Sequence, residues 1–597
     1  MASNGFQNPA ESQVLENAPL VSRRPRLWFP ITLVGLYWAL SIIVGQLEKL
    51  YFFGFLYGMA SAAVLILVYF CWWWLNGRIR LSDRFFGFVL ILGVGAIVEP
   101  FCHASIGWFA LWTMGLPIVL TVWTLWLVLS KKIGVSRFRP ASIAIVALTW
   151  ASFALIRFEG ANADLKADLR WRWTPSSEDL FLAEKARAAE GGSEISATSL
   201  ANWVSALTPG DWTGFRGPDR EGVIRGVSIA TDWKNHPPQL LWRQRIGPAW
   251  SSVIVIGDRL FTQEQRGEME SVVCYEAATG KELWVHNDRA RFWEAVSGAG
   301  PRATPTFSDG NIYTLGGTGL LNCLDAGTGQ LCWSHDIRAE AEAKVPMWGY
   351  SSSPLVVDGR VIAFAGGEAS LRAYQASSGD LAWTAEAGPG TYASPQLATL
   401  AGQAQILILS ESGLSAFDPS NGAKLWQLGQ AMQGAPRTLQ PHLIGSHQLV
   451  IGQLQAFGVS LIDVMRDAND WKVEELWHST QMKPEFPDFV VHGGHAYGFD
   501  GAIFACLDLS AGNRAWKGGR YGRGQVVLLE DQKILLVISE AGEAILLEAN
   551  PHEQHELGKF QALSGKTWNH PVLTNGRLYV RNAEEMACYE LPLKGGE

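Results

Sequence analysis

The sequence predicts an all-β propeller of eight blades preceded by an α-helical transmembrane bundle of about five helices. Three observations carry this expectation: long uncharged apolar runs confined to the first 157 residues, a Gly–Trp motif that recurs from residue 274 onward, and eight turn-centred hairpins spaced along the same region. A chain of 597 residues is long enough for two or more domains. Charged residues make up only 17%, below the soluble norm, as a membrane portion requires. A net charge of −8 gives no footprint for nucleic acid, and none is expected as a partner. Seven cysteines stand at 71, 102, 274, 323, 332, 506 and 588, with no CxxC pair and no metal-ligand spacing to His, so no metal site is read from them.

The apolar runs are 28–46, 50–75, 85–98, 104–130 and 140–156. Four of them match the length a helix needs to cross a ~30 Å hydrocarbon core. The 14 residues of 85–98 are short, so hydropathy alone leaves four or five crossings. Loop charges favour five. Arg23, Arg24 and Arg26 precede the first run; Arg78, Arg80 and Arg84 follow the second; Lys131, Lys132, Arg137 and Arg139 follow the fourth. The intervening loops hold only Lys49 between them, the alternation that the positive-inside rule associates with a cytoplasmic N-terminus. The expected layout is a cytoplasmic tail (1–27), five helices (28–157), an extracytoplasmic linker (158–208) and a propeller (209–597). The first run has no cleavage site after it and reads as a retained anchor. Within the linker, SSEDLFLAEKARAAE (176–190) has the pattern of a short capped helix, followed by the small, polar Gly191–Ser199.

The repeat is clearest in five segments: CYEAATGKELW ending at Trp284, CLDAGTGQLCW at Trp333, AYQASSGDLAW at Trp383, AFDPSNGAKLW at Trp426 and CLDLSAGNRAW at Trp516. A degenerate copy ends at Trp477. A polar or acidic residue, a Gly and a Trp stand four apart in each full copy, as in Asp325/Gly329/Trp333, Asp418/Gly422/Trp426 and Asp508/Gly512/Trp516. The acid caps backbone N–H groups of a turn and the Gly takes a left-handed conformation. The Trp supplies an apolar plate for the wedge between blades. Cys274, Cys323, Cys506 and Cys588 fall in phase with Ala373 and Ala416, a position that wants a small buried residue. Between copies lie hairpins such as SSVIVIGDRLF and SSPLVVDGRVIAF. Four short strands at a period in the forties is a propeller blade. The last strand, Met586–Leu591, lacks its own Trp and is expected to close the ring on Leu240–Trp242.

The motif A-x-D-x-x-x-G-x-x-x-W, complete at Ala416/Asp418/Gly422/Trp426, resembles the tryptophan-docking motif of PQQ-type (quinoprotein-type, BamB-like) propellers over about residues 211–597. The opening DWTGFRGPDREG (211–222) resembles the lead-in of bacterial PQQ-like repeat proteins. The resemblance implies two directions. Quinoprotein dehydrogenases hold PQQ and Ca²⁺ on such a propeller and use an Asp as base, and the membrane-bound glucose dehydrogenases carry five N-terminal helices. BamB-type assembly factors keep the propeller and bind proteins. About 390 residues make a bare ring with little left to roof an active site, and no catalytic set is identifiable. The expectation is therefore a protein-interaction scaffold, with no cofactor, in the periplasm on the inner membrane of a bacterium. Its partners would be the membrane and another extracytoplasmic protein or peptide. The alternatives are a PQQ- and Ca²⁺-dependent dehydrogenase of a sugar or alcohol feeding membrane quinone, and a small-ligand sensor.

Residues just before each inner hairpin should converge on the channel mouth. They are Trp250, Ser251, Arg302, Ser352, Tyr392, Asp488, Arg520, Arg523, Gln525, Trp568, Asn569 and His570, a ring able to bind an anion, a sugar or an acidic peptide. The plainer reading is that hydroxyls and prolines here satisfy strand ends. His570 reads as structural rather than as a base. His492 and His495, placed in one strand three apart, should face opposite sides and share no metal.

Overall fold

The computed structural model describes residues 26–46, 51–130, 135–162, 167–190, 203, 207–429, 437–452, 457–468 and 470–594. Arg23, Arg24, Lys49, Lys131, Lys132, nearly all of the tail 1–27 and the stretch Gly191–Ser199 lie outside the described residues. Two compact units result, Met1–Thr174 and Pro175–Glu597.

In the first unit, long helices cover Trp28–Gln46, Tyr51–Leu75, Leu81–Val98, Leu116–Leu129 and Val135–Phe153. A π-helical stretch, Leu111–Gly115, extends the fourth back to Gly107. Among the described residues, Leu56–Leu75, Leu81–Phe101 and Gly107–Leu129 are long and apolar enough to cross a membrane. The short run 85–98 gains its length from flanking residues, Leu81–Arg84 on one side and a 3₁₀ turn at Glu99–Phe101 on the other. The fifth helix ends at Phe153, and the chain turns into a hairpin, Ile156–Ala161 with Ala167–Trp171, at the start of the segment read as linker.

Indoles fill the interior. Trp123 and Trp150 are buried, and Trp150 Nε1 donates to the Ile91 carbonyl. A Cβ on Gly95 would stand 2.9 Å from the Trp150 ring, so a residue without a side chain is needed for the helices to approach. Leu36, Ile42, Leu67 and Leu148 point outward and exposed, so the unit is apolar on both faces, as a lipid-facing bundle is.

The second unit is an eight-bladed propeller. Its innermost strands are, in order, Ile254–Ile256, Thr306–Ser308, Leu355–Val357, Gln396–Leu400, His442–Ile444, Val490–His492, Gln525–Leu529 and Val572–Thr574, each followed by antiparallel neighbours outward. Blade eight is completed by Gln239–Arg245, with Cys588 opposite Trp242 and Tyr589 opposite Leu240, so the two ends of the propeller sequence close one sheet. The helix Ser177–Glu190 starts with reciprocal bonds, Asp179 N–H to Ser176 Oγ (3.0 Å) and Ser176 N–H to Asp179 Oδ2 (2.8 Å). It is tied to blade one by Glu178, which accepts from Arg291 and from the Gly267 N–H.

The motif now has a mechanism. The acid closes its own turn: Asp325 Oδ1 accepts from Thr328 N–H, Asp418 Oδ1 from Ser420 N–H and Asp508 Oδ1 from Ser510 N–H, each at 2.8 Å. Where the next blade keeps a glycine in this turn, the preceding Trp lies on it. A Cβ would stand 2.9 Å from Trp242 at Gly280, 2.5 Å from Trp284 at Gly329, 2.8 Å from Trp333 at Gly379, 2.4 Å from Trp383 at Gly422 and 2.7 Å from Trp477 at Gly512. Those glycines have φ of +69° to +80°, so both backbone and contact demand Gly. The indole N–H then donates across the seam: Trp242 to Ala277 O, Trp284 to Ala326 O, Trp333 to Ala376 O and Trp516 to Asn550 O.

The copy ending at Trp477 is degenerate in its turn, yet its Trp still has a seat at Gly512. Trp477 docks on Gly512 as its counterparts dock on their glycines, and its indole donates to Leu509 O (3.0 Å). The Gly512 carbonyl also accepts from Ser479 Oγ, so the seam between blades five and six is complete. What blade five lacks is the turn before that Trp. A long hairpin, Val459–Asp467 with Asp470–Ser479, replaces the D-x-x-x-G segment, and Trp426, without a glycine seat there, donates to Gln405 Oε1 within its own blade.

The small residue is the cross-strand partner of the Trp, as in Cys274↔Trp284, Cys323↔Trp333, Ala373↔Trp383, Ala416↔Trp426 and Cys506↔Trp516. Burial of Cys323, beside Cys332, pushes its thiol up to about 12, so the position is a packing one.

Candidate functional site: the channel and its mouth

The lead-ins to the inner strands bind one another around the axis. Ser252 N–H donates to Thr304 Oγ1 (3.1 Å), Thr304 N–H to Ser353 Oγ (2.9 Å), and Ser353 N–H to Ser394 Oγ (2.8 Å). Ser394 N–H continues to Gln440 Oε1 (2.9 Å), and Gln440 N–H to Asp488 Oδ2 (2.9 Å). Between blades six and seven an ion pair takes over, Arg523 Nε to Glu485 Oε2 at 2.6 Å. Gln525 donates to Trp568 O, Asn569 to Ser251 O, and Ser252 Oγ to His570 O, which closes the circle. Each side chain satisfies the N–H or carbonyl of an adjacent blade where a strand begins and the ladder has not yet formed.

Below this ring, the lead-in 211–224 crosses the axis. The N–H and C=O of Trp212 bond Val255 in blade one, Thr213 O accepts from Phe307 in blade two, and Val223–Ile224 adds as a parallel strand to Gln525–Leu529 in blade seven. Its two arginines are buried and reach outward. Arg216 donates to Phe489 O (2.7 Å) and Glu221 O (2.8 Å), and its Nη1 stands 3.5 Å from Asp488 Oδ2. Arg220 donates to Ser353 O (3.2 Å), Pro395 O (2.8 Å) and Pro354 O, so one guanidinium gathers carbonyls of blades three and four. Burial lowers the Arg220 guanidinium to about 9.

Asp488 is the carboxylate at the hub. Burial alone would raise it. Arg216, His442 (2.8 Å) and the Gln440 N–H outweigh burial and hold it at about 2. His570 lies 6.2 Å from the Trp212 ring, stacked. Burial, with Arg216 beside it, pushes it down to about 3 and keeps it neutral. Both oxygens of Asp488 are engaged by the protein, since Phe489 N–H also bonds Oδ1 (2.9 Å). Among the described residues, no three His, Cys, Asp or Glu side chains come together as metal ligands.

Above the ring, the lead-ins line a mouth of aromatic and charged side chains. Trp250 and Trp568 lie 4.9 Å apart, Phe486 and Trp568 5.0 Å, and Lys566 sits over both indoles at 5.1 and 4.5 Å. On blades three and four, Trp348 and Tyr392 lie 5.1 Å apart beside Met347, which is 76% exposed. Arg302 is buried, donating to Gly298 O and Gly300 O, with Glu294 3.4 Å away. Of the residues singled out from sequence, Trp250, Arg302, Tyr392 and Trp568 occupy this mouth, and Arg523 belongs to the ring through its pair with Glu485. Ser251, Ser352, Asp488, Gln525, Asn569 and His570 are buried in or beside the ring. Arg520 sits apart, exposed at the end of blade six's outermost strand opposite Ile503. His492 and His495 need correction: they are cross-strand partners on either side of the Gly493-Gly494 turn, so they face each other rather than opposite ways. Sequence reasoning missed Arg216, Arg220, Glu485 and Arg437. Arg437 stands three residues before Gln440 and Glu485 three before Asp488, whereas Arg302 stands two before Thr304, so no shared spacing marks them.

An open groove of about 670 Å³ lies under the helix Ser177–Glu190, lined by Phe181, Lys185, Arg243, Arg245, Glu584 and Glu585. Most of its charges already pair, Lys185 with Glu282, Arg245 with Glu184 and Arg243 with Glu585, so it presents little unmet chemistry.

Glu270 couples blade one to blade two. Its Oε1 accepts from Gly317 N–H (2.9 Å), its Oε2 is buried without a partner, and burial raises the carboxyl to about 7. A raised carboxyl holds a proton in the fold that the unfolded chain has released, so its contribution is present below about pH 4.5 and is lost as pH rises through 7. Glu270→Gln is expected to remove that loss and to stabilise the full chain at pH 8 by about 2 kcal/mol relative to pH 5. Thermal unfolding at the two pH values measures it; an unchanged pH difference would contradict the assignment.

Residues 268–518 match the family model described as outer membrane protein assembly factor BamB, and the repeats are of this PQQ-like kind. No curated protein matches the chain. Among solved structures, BamB from Moraxella catarrhalis is similar at 15% identity over 59% of this chain and 100% of its own, with a TM-score of 0.43. A quinohemoprotein alcohol dehydrogenase from Pseudomonas putida HK5 is similar at 15% identity over 65% and 81%, TM-score 0.47. One from Comamonas testosteroni is similar at 13% over 69% and 85%, TM-score 0.46.

Proposed function

We propose, from a propeller built of PQQ-like, BamB-like repeats joined to a helical unit with membrane-length apolar helices, that this chain is a membrane-anchored interaction scaffold whose channel mouth docks another protein. The observation that carries this reading is how the channel is used. Ring side chains are consumed by neighbouring blades, and Arg216 and Arg220 cross the axis below them. The mouth is what faces outward, and its Trp, Tyr, Phe and Met are the residues enriched at protein interfaces. The helices cross five times, with the N-terminus in the cytoplasm and the propeller in the periplasm. The alternating loop charges support that layout. A reporter fused after Glu597 would contradict it by showing cytoplasmic activity.

Met347 provides the functional test because its exposure leaves the fold indifferent to it. Tagged full-length chain purified from its native membranes should retain a partner protein, and Met347→Asp should lose it by tenfold or more. A partner retained by Met347→Asp and lost on changing Lys559, exposed on blade seven's outermost strand, would move the docking surface to the rim.

A further inference from the structure

Four of the arginines around the channel are answered by the protein itself: Arg216 by carbonyls and Asp488, Arg220 by carbonyls, Arg302 by carbonyls and Glu294, and Arg523 by Glu485. Arg437 is different. It opens the lead-in of blade five and is 4% exposed, yet its Nε has no hydrogen-bond partner, and no carboxylate among the described residues pairs with it. Burial lowers its guanidinium, and Glu411 opposes that shift from beyond ion-pair distance. Its backbone is pinned, because the carbonyl accepts from Tyr392 N–H (2.7 Å) and Thr391 Oγ1 (3.4 Å). A pinned, desolvated and unanswered guanidinium is costly for a fold to keep unless an anion arrives to meet it.

We propose that Arg437 is the anion-recognition point of the mouth and that it receives the carboxylate of an acidic side chain on the docked partner. This rests on the reading of the mouth as a docking surface. One unpaired cation matches one negative charge, and the planar fork suits a carboxylate's two oxygens. Glu411 disfavours a multiply charged phosphate at the same place. The Trp348–Tyr392 pair and exposed Met347 lie on the neighbouring lead-ins, so an extended segment with an acid next to an apolar residue meets both features.

The test uses the full chain in detergent with sodium acetate as probe, compared with sodium chloride and sodium phosphate at equal ionic strength. Acetate at about 100 mM is expected to raise Tm by about 2 °C over chloride. Arg437→Met is expected to abolish that increment and, in chloride, to unfold no lower than the wild type, since it removes an unanswered buried charge. An acetate increment that survives in Arg437→Met overturns the proposal, as does a chloride Tm several degrees below wild type. A larger increment with phosphate than with acetate overturns the choice of carboxylate. A partner lost by Met347→Asp with no acetate effect overturns the role of Arg437 and leaves the docking reading standing. An acetate effect that tracks Arg437, with no partner lost by Met347→Asp, supports the carboxylate site and overturns the docking reading.

Discussion

Asp488→Ala is expected to destabilise the full chain by about 3–5 kcal/mol, measured by denaturant unfolding in detergent and followed by tryptophan fluorescence. The size follows from what is left behind. Arg216 would keep its buried charge with carbonyls alone, Gln440 N–H would lose its acceptor and His442 its partner. Arg216→Met alone should cost a similar amount by stranding Asp488. The double variant Arg216→Met/Asp488→Ala should recover a large part of either loss, because both charges leave together. The pH dependence has a definite sign. Asp488 is depressed to about 2 in the fold, so its contribution is present above the ordinary value near 3.8 and lost as pH falls toward 2. The gap between wild type and Asp488→Ala should therefore narrow in acid. A loss below 1 kcal/mol at pH 7 would show that the hub is not held by this pair.

Trp333→Ala is expected to cost about 3–5 kcal/mol, the range for removing a buried indole that leaves a cavity. Trp333 lies between Tyr313 and Tyr374, at 5.9 and 6.3 Å, and covers Gly379. Its removal empties the wedge between blades two and three and leaves Ala376 O without its indole donor. Trp333→Phe should fall between, keeping part of the plate and losing the N–H. The same change at Trp568, half-buried at the mouth, should cost clearly less, since one side already faces water. Equal losses at the two positions would contradict the division between wedge and mouth.

What the sequence made legible was local. Asp418, Gly422 and Trp426 lie within nine residues, and a turn plus a plate can be read from them directly. Their meaning across blades was not legible, because the glycine that seats a Trp belongs to the next repeat, some forty residues on. Trp477 shows the consequence: its own turn is gone, so it reads as worn, while its seat at Gly512 is intact in the following blade. The small residue in phase with Cys323 was visible as a preference; its cause, facing Trp333 across the strands, needed the register. The ring was legible only as polar strand starts: Ser251 and Ser352 stand one residue before Ser252 and Ser353, whose hydroxyls join it, while Asn569 is itself a member. Gln440 and Asp488 do the same work with different chemistry, so no motif links them to Ser394. The lead-in DWTGFRGPDREG identified itself as an opening segment. The partners of Arg216 and Arg220 lie up to 273 residues away, and no spacing rule reaches that far. His492 and His495 were misplaced because Gly493-Gly494 is a complete turn, which puts the two on different strands.

The measurement closest to the central claim is photo-crosslinking in intact native membranes, with a benzophenone amino acid placed at Met347 in one strain and at Lys559 in another. The expected result is one discrete adduct from Met347, at the mouth, and none from Lys559 on the rim. Adducts from Lys559 alone, or none from Met347 while a small molecule co-purifies with the chain, would contradict a scaffold that works through its channel mouth.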